Sequence, residues 1–283
     1  MKTITIKNDN LTVKIDSFGA EIKSVKQGDT EFMWHGDPEV WGNTAPVLFP
    51  FCGRLKDGKY TYEGNTYEMT IHGFAKITEF EIEEQQEDSV VFLLKSNEET
   101  KKNYPFDFEF RVSYTLEQST ITVSYNIKNC SEGPLYCSVG SHEGYACPEG
   151  IEEYTLLFDK EEEMEILAYE DGQLTLNHTS LTEPSDQLEL SDKLFIVDSL
   201  VFNTLHSDKV TLLHRNSDKK ITLSFPGHSY FIIWHKPGGK YICLEPWCGM
   251  GTLKDSGYEL TEKEGIMKID KEKTISHQIT FEQ

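Results

Sequence analysis

Period-two alternation of apolar and polar residues runs along most of this chain, and it confines the fold to strands that bury one face. Thr3-Ile4-Thr5-Ile6 and Leu11-Thr12-Val13-Lys14-Ile15 alternate residue by residue, with Asn8-Asp9-Asn10 between them as a turn. Residues 18–25 continue the pattern, and Gly28-Asp29 turns the chain into 31–34. A loop of Gly, Pro and aromatics follows over 35–53. A second hairpin is expected over 59–69, turning at Glu63-Gly64. Further strands are expected at 80–84, 89–96, 106–116, 121–129, 154–158, 194–202, 209–213, 220–225, 230–235, 241–245, 267–269 and 274–281. Helical periodicity is scarce. Residues 97–103 fit one or two turns with Asn97 as N-cap and Glu98 and Glu99 in the first turn. A shorter turn is expected within 258–265. The acidic run Lys160-Glu161-Glu162-Glu163 reads as a solvated loop. Many short strands without a dividing linker predict an all-β fold: one large antiparallel β-sandwich over residues 1–283, with few short helices.

Charge narrows the partners. A formal net charge of -21 argues against nucleic acid and anionic membrane surfaces, which repel such a protein. No apolar run approaches the roughly 20 residues of a membrane span. The first ten residues mix Ile and Thr with charges, so a cytoplasmic protein is expected. The six cysteines lack a C-x-x-C pair and read as reduced, buried thiols.

Four stretches could carry chemistry. In Tyr241-Ile242-Cys243-Leu244-Glu245-Pro246-Trp247, an apolar strand ends in a carboxylate, and Pro246 is expected to stop the strand there. A carboxylate in such a place is costly without a ligand or partner. In Phe49-Pro50-Phe51-Cys52-Gly53-Arg54, one of only three arginines stands in an aromatic loop. It is either a forked donor for a ligand or half of a surface ion pair. His72, in Ile71-His72-Gly73-Phe74, and His142, in Gly140-Ser141-His142-Glu143-Gly144-Tyr145, each follow an apolar stretch and sit by a glycine. Two His and one Glu could ligate zinc, but their separation lacks the local spacing of helical zinc motifs. There is no G-x-S-x-G elbow and no glycine-rich phosphate loop.

Taken in order, Phe49-Pro50 to Leu55 with Asp57-Gly58 and Tyr60, His72-Gly73-Phe74, Gly140-Ser141-His142 with Cys147-Pro148, Trp234 with Pro237-Gly238, and Cys243-Leu244-Glu245-Pro246-Trp247 resemble the aldose 1-epimerase (mutarotase) family. The resemblance spans most of the chain. It implies a β-sandwich of the galactose-mutarotase type that acts on a small sugar without a cofactor. It also implies Glu245 as general base, His142 as general acid, and Arg54 and His72 as substrate-binding. Asp198 falls where the family often grips sugar hydroxyls. Trp247 or Trp234 is either a sugar platform or a core residue. One departure stands out: a Pro, a small residue and an aromatic usually follow the second histidine, and here Glu143-Gly144-Tyr145 do. Glu143 would then either raise the proton affinity of His142 or face solvent.

A carboxylate and an imidazole suit mutarotation, in which a base takes the anomeric hydroxyl proton while an acid protonates the ring oxygen. Three functions stay open: a mutarotase, a sugar-binding protein without turnover, or another carbohydrate enzyme such as a phosphosugar epimerase.

Overall fold

The structure, a computed structural model, describes residues 1–283. Its architecture is that of a large antiparallel β-sandwich with little helix. The alternation has the expected result. The paired strands Phe108–Glu117 and Thr120–Asn129 bury every second side chain and expose or half-expose the rest. They lie within a nine-stranded sheet whose edges are Ser185–Glu189 and Glu81–Gln85. Glu272–Glu282 pairs with Thr120–Asn129 in the same sheet and closes the chain. The inward faces of these strands contribute to an apolar core of 64 buried residues, in which Phe49 stacks on Phe110.

The second large sheet carries the chemistry. Its main path runs Leu200–Phe202, Tyr230–Trp234, Tyr241–Cys248, Val139–Ser141 and Val47–Leu48, and Glu143–Ala146 also pairs with Tyr241–Cys248. All eight residues of Tyr241–Cys248 are buried. Pro246 does not end this strand, contrary to the sequence expectation. On one side Phe231 is registered with Pro246 and Ile232 with Glu245. On the other side the ladder is interrupted at just these two positions, between Glu143–Ala146 and Val139–Ser141. A residue without an N–H is tolerated where the ladder is broken.

Several turns and caps form as the local sequence predicts. Asn8 Oδ1 accepts from the amides of Asn10 and Leu11 and shapes the first turn. Glu63 and Gly64 both have positive φ, as the tight hairpin Lys59–Tyr62/Asn65–Glu68 requires. The helix Glu98–Asn103 begins at Asn97, whose side chain accepts from the amides of Glu99 and Thr100. Leu260–Glu262 supplies the short 3-10 turn.

Four expectations need correction. Residues 31–34 hold a strand only at Thr30–Glu31. Residues 194–202 divide into a 3-10 turn, Asp192–Phe195, and a strand, Leu200–Phe202, which leaves Asp198 in the exposed link. Lys160, Glu161 and Glu162 are not a loop but the end of the strand Tyr154–Glu162. Glu162 is buried there, accepting the amides of His206 and Ser207, which satisfies the carboxylate without water. The six cysteines are all free, but Cys130 is exposed. No helix is long and apolar enough to cross a membrane.

Candidate active site

The interrupted ladder decides the site. Gly140 is registered with Trp247, and Glu143 with Leu244. The same register on both sides of the gap places His142 opposite Glu245. His142 Nδ1 and Glu245 Oε1 lie 3.4 Å apart, without a hydrogen bond between them. Glu245 is 1% exposed and His142 7%. Neither oxygen of Glu245 has a partner, nor does His142 Nδ1. Buried polar atoms left in this way are destabilising, by about 1–3 kcal/mol each. Both residues line a cleft of about 550 Å³, a size suited to a small ligand. A smaller depression of about 190 Å³, along Glu162 to Glu165 and Phe202 to His206, is separate from this pair.

Burial sets the electrostatics. It pushes the Glu245 carboxyl well above the ordinary carboxylate range, and negative Glu143 and Asp198 push further the same way. It pulls the His142 imidazole down to about 3, with the positive Lys76 assisting. Both shifts favour the uncharged forms.

The remaining expected residues reach the same cleft from separate elements. His72 follows the Lys59–Tyr62/Asn65–Glu68 hairpin in a left-handed conformation, φ 66°, with Gly73 at φ 72°. A Cβ on residue 73 would fall 2.3 Å from the Phe49 carbonyl oxygen, so only glycine fits there. His72 Nδ1 accepts from the Gly53 amide at 3.1 Å, which leaves the proton on Nε2 as a donor. Its ring stands edge-on to both His142 and Trp247. Arg54, next to Gly53, lines the cleft with no carboxylate within ion-pair distance, whereas Arg111 and Arg215 each pair with glutamates. The alternative of a surface ion pair therefore fails for Arg54. Gly53 and Gly251 pack so closely that a Cβ on residue 53 would lie 2.7 Å from Gly251 Cα. That contact fixes the Arg54 loop against the chain leaving the Glu245 strand. Asp198 lines the cleft from its exposed link, its carboxylate accepting the Ser199 amide. Trp247 combines the two roles left open for it. It lines the cleft, and its indole N–H donates to the Ser141 carbonyl beside His142.

Several lining residues were not singled out from sequence. Trp41 stacks on the His142 ring, centroids 4.9 Å apart, and meets Trp234 edge-on. Gly144 makes room for it, since a Cβ there would lie 2.6 Å from the Trp41 ring. The aromatic loop over 35–53 held the only signal for Trp41. Lys76 lines the cleft without an ion-pair partner. Tyr169, Gly172, Gln173 and Leu174 come from a hairpin, Glu165–Glu170/Gln173–Ser180, that the alternation did not mark.

Glu143 takes neither of its two expected positions. Alternation along its strand turns it away from His142 and into the protein, where it is 3% exposed and meets His277. The donor atoms of His142, Cys243 and Glu245 lie within 4.8 Å of one another, close enough to suggest a metal. The fit is poor. The Cys243 thiol lies outside the cleft lining, packs with Trp34 and Tyr241, and is held protonated by burial. These three are therefore not assigned as a metal centre.

A sandwich with a buried carboxyl–imidazole pair under a polar, aromatic-walled cleft is the build of a protein that handles a small polar ligand. Residues 2–260 match the family model for aldose 1-epimerase, and the chain belongs to that family. It is 34% identical to the plasmid-encoded protein LacX of Lactococcus lactis subsp. lactis over 282 residues, 94% of each chain. It is also 34% identical to a galactose mutarotase related enzyme from Lactobacillus acidophilus, with TM-score 0.94 over 100% of this chain and 98% of that one. Galactose 1-epimerase from Lactobacillus acidophilus NCFM shares the fold at 13% identity, with TM-score 0.74 over 99% of this chain and 94% of that one.

Proposed function

We propose that this protein is a mutarotase, which interconverts the α and β anomers of a free aldose by opening and closing its ring. The observation that carries this reading is the placement of His142 and Glu245 3.4 Å apart in the cleft lining. The two line the cleft side by side. That suits the chemistry, because the anomeric hydroxyl and the ring oxygen are bonded to the same carbon. One member takes the hydroxyl proton while the other protonates the ring oxygen. The C1–O5 bond breaks, the aldehyde carbon turns, and closure on its other face reverses both transfers. Glu245 as base and His142 as acid describe one direction; the exchanged roles describe the other. His72 Nε2–H, Arg54 and Asp198 would hold the sugar hydroxyls. Family membership and the shared fold support the reading without naming the sugar.

The test is polarimetric relaxation of fresh α-D-glucose and α-D-galactose. Glu245→Gln and His142→Gln are each expected to lower kcat by about a hundredfold to ten-thousandfold. Wild-type rates in Glu245→Gln would remove the assignment.

A second reading is favoured by Arg54 and Lys76. In a protein of net charge -21, these two cations line the cleft without carboxylate partners, and the positive charge of each is felt by the His72 ring. A sugar carrying an anionic group such as phosphate would satisfy them. A higher kcat/KM for glucose 6-phosphate than for glucose, lost in Lys76→Met, would establish it; equal values would exclude it. A charge beside His142 would favour sugar binding without turnover, but Glu143 turns inward onto His277.

A further inference from the structure

Lys263 is a buried lysine that the proposed reaction does not use. It follows the 3-10 turn Leu260–Glu262, is 8% exposed and lies outside the cleft lining, so no sugar touches it. Its Nζ has no carboxylate within ion-pair distance. It donates instead to the Met250 carbonyl and, at 3.3 Å, to the Glu264 carbonyl. Burial disfavours the charged form and pulls the Lys263 amine down to about 8. A lysine in such a place weakens the fold unless its donors find good acceptors.

The peptide that Lys263 holds gives it a role. Met250 lies between two glycines in the turn that leaves the strand Tyr241–Cys248. Both glycines are pressed against other segments. A Cβ on residue 249 would overlap Ser138 Oγ and lie 3.2 Å from the Gly265 carbonyl oxygen, two residues beyond Lys263. A Cβ on residue 251 would lie 3.3 Å from both the amide nitrogen and the carbonyl oxygen of Arg54. The Thr252 amide then donates to the Arg54 carbonyl at 2.8 Å. Gly53, the next residue along that loop, accepts the His72 amide at 3.0 Å and donates to the His72 ring at 3.1 Å. One run of contacts therefore leads from Lys263 through the Met250 turn to the backbone that presents Arg54 and His72. The Met250 side chain is buried in an apolar cluster with Cys52 and Trp247, but apolar contact has no direction. The hydrogen bond from Lys263 is what orients the Met250 carbonyl.

We infer that Lys263 is a positioning residue that seats Arg54 from behind the cleft: it pins the Met250 carbonyl, and the turn so held fixes the backbone from which the Arg54 side chain reaches the sugar. The seating stands on these contacts alone, and its effect on sugar affinity rests on the mutarotase reading.

The experiment is a double-mutant cycle of Lys263→Met with Arg54→Ala, followed by polarimetry on α-D-glucose and α-D-galactose. Alone, Lys263→Met is expected to raise KM about tenfold with kcat within about threefold, since Arg54 binds the sugar and transfers no proton. In Arg54→Ala the same change should move KM by less than about twofold, because the side chain it seats is gone. Equal KM factors in the two backgrounds overturn the inference. A second readout needs no sugar: hydrogen exchange of the Thr252 amide, whose proton the Arg54 carbonyl accepts. Its protection should fall about tenfold in Lys263→Met, while the strand Phe108–Glu117 keeps its own. Unchanged exchange at Thr252 overturns the inference, as does an equal loss through Phe108–Glu117, which would mark a general loss of stability. Should Lys263→Met not fold, Lys263→Gln, which keeps an N–H donor on a shorter side chain, enters the same cycle under the same criteria. A wild type inactive toward both sugars would overturn the mutarotase reading and leave Thr252 exchange to judge this inference separately.

Discussion

At the residue scale, Glu245 has a cost that its proposed role explains. Folding raises its pKa, so below the ordinary carboxylate value both folded and unfolded chains are protonated and the residue is neutral for stability. Above that value the unfolded chain releases its proton while the folded chain keeps it. Destabilisation then grows with pH until the raised folded value is reached. Glu245→Gln should accordingly melt higher than wild type at pH 7–8 and no higher at pH 4, a gain in stability alongside the loss of activity. His142 behaves oppositely, its folded pKa lying near 3, so it weakens the fold as pH falls below the ordinary imidazole value. The same shifts predict the pH–rate profile. Activity needs one proton on the pair, so the acid limb should lie well below pH 6.5 and the alkaline limb well above 4.5. An acid limb centred near 6.5, measured as kcat/KM by polarimetry, would show that the pair does not titrate as the structure requires. Gly144 is a second residue-scale case. Gly144→Ala would press on Trp41 and on the Thr44 carbonyl, at 2.6 and 3.1 Å. A loss of about 1–3 kcal/mol in denaturant unfolding is expected, with altered tryptophan fluorescence and reduced activity as Trp41 leaves His142.

At the scale of elements, the strand Tyr241–Cys248 shows how a local rule yields to its surroundings. Proline ends most strands because it lacks a ladder donor. Here the neighbouring strands leave a gap opposite Pro246, and the gap that admits proline also seats His142 against Glu245. The helix Glu98–Asn103 follows its local rule fully. Its reciprocal cap joins Asn97 and Thr100, far in sequence from every cleft residue. Asn97→Ala should remove about 1 kcal/mol of stability, seen as a drop of about 2–4 °C in Tm, with kcat unchanged. A fall in kcat would mean that this helix communicates with the cleft.

At the scale of the molecule, 48 acidic residues against 27 basic ones create a repulsive field that the fold must carry. Raising NaCl from about 10 to 150 mM shortens the screening length from about 30 to 8 Å, so Tm should rise and then level. A fall would mean that surface pairs such as Arg111 with Glu83 and Glu109 outweigh the net repulsion.

What the sequence alone determined was local. Alternation and turn residues specified the strands, the two early hairpins and the capped helix, because a half-buried strand and a helix cap are governed by neighbours a few residues away. The ordered motifs around Arg54, His72, His142 and Glu245 marked the cleft for the same reason: each is a short run. Tertiary structure decided the rest. It brought His142 and Glu245 into one register, turned Glu143 inward onto His277, carried the strand through Pro246, and delivered Trp41, Lys76 and Tyr169 to the cleft walls. Which strand pairs with which, and which face meets the core, depends on contacts between segments a hundred residues apart, and these form only when the two sheets close on their shared apolar interior.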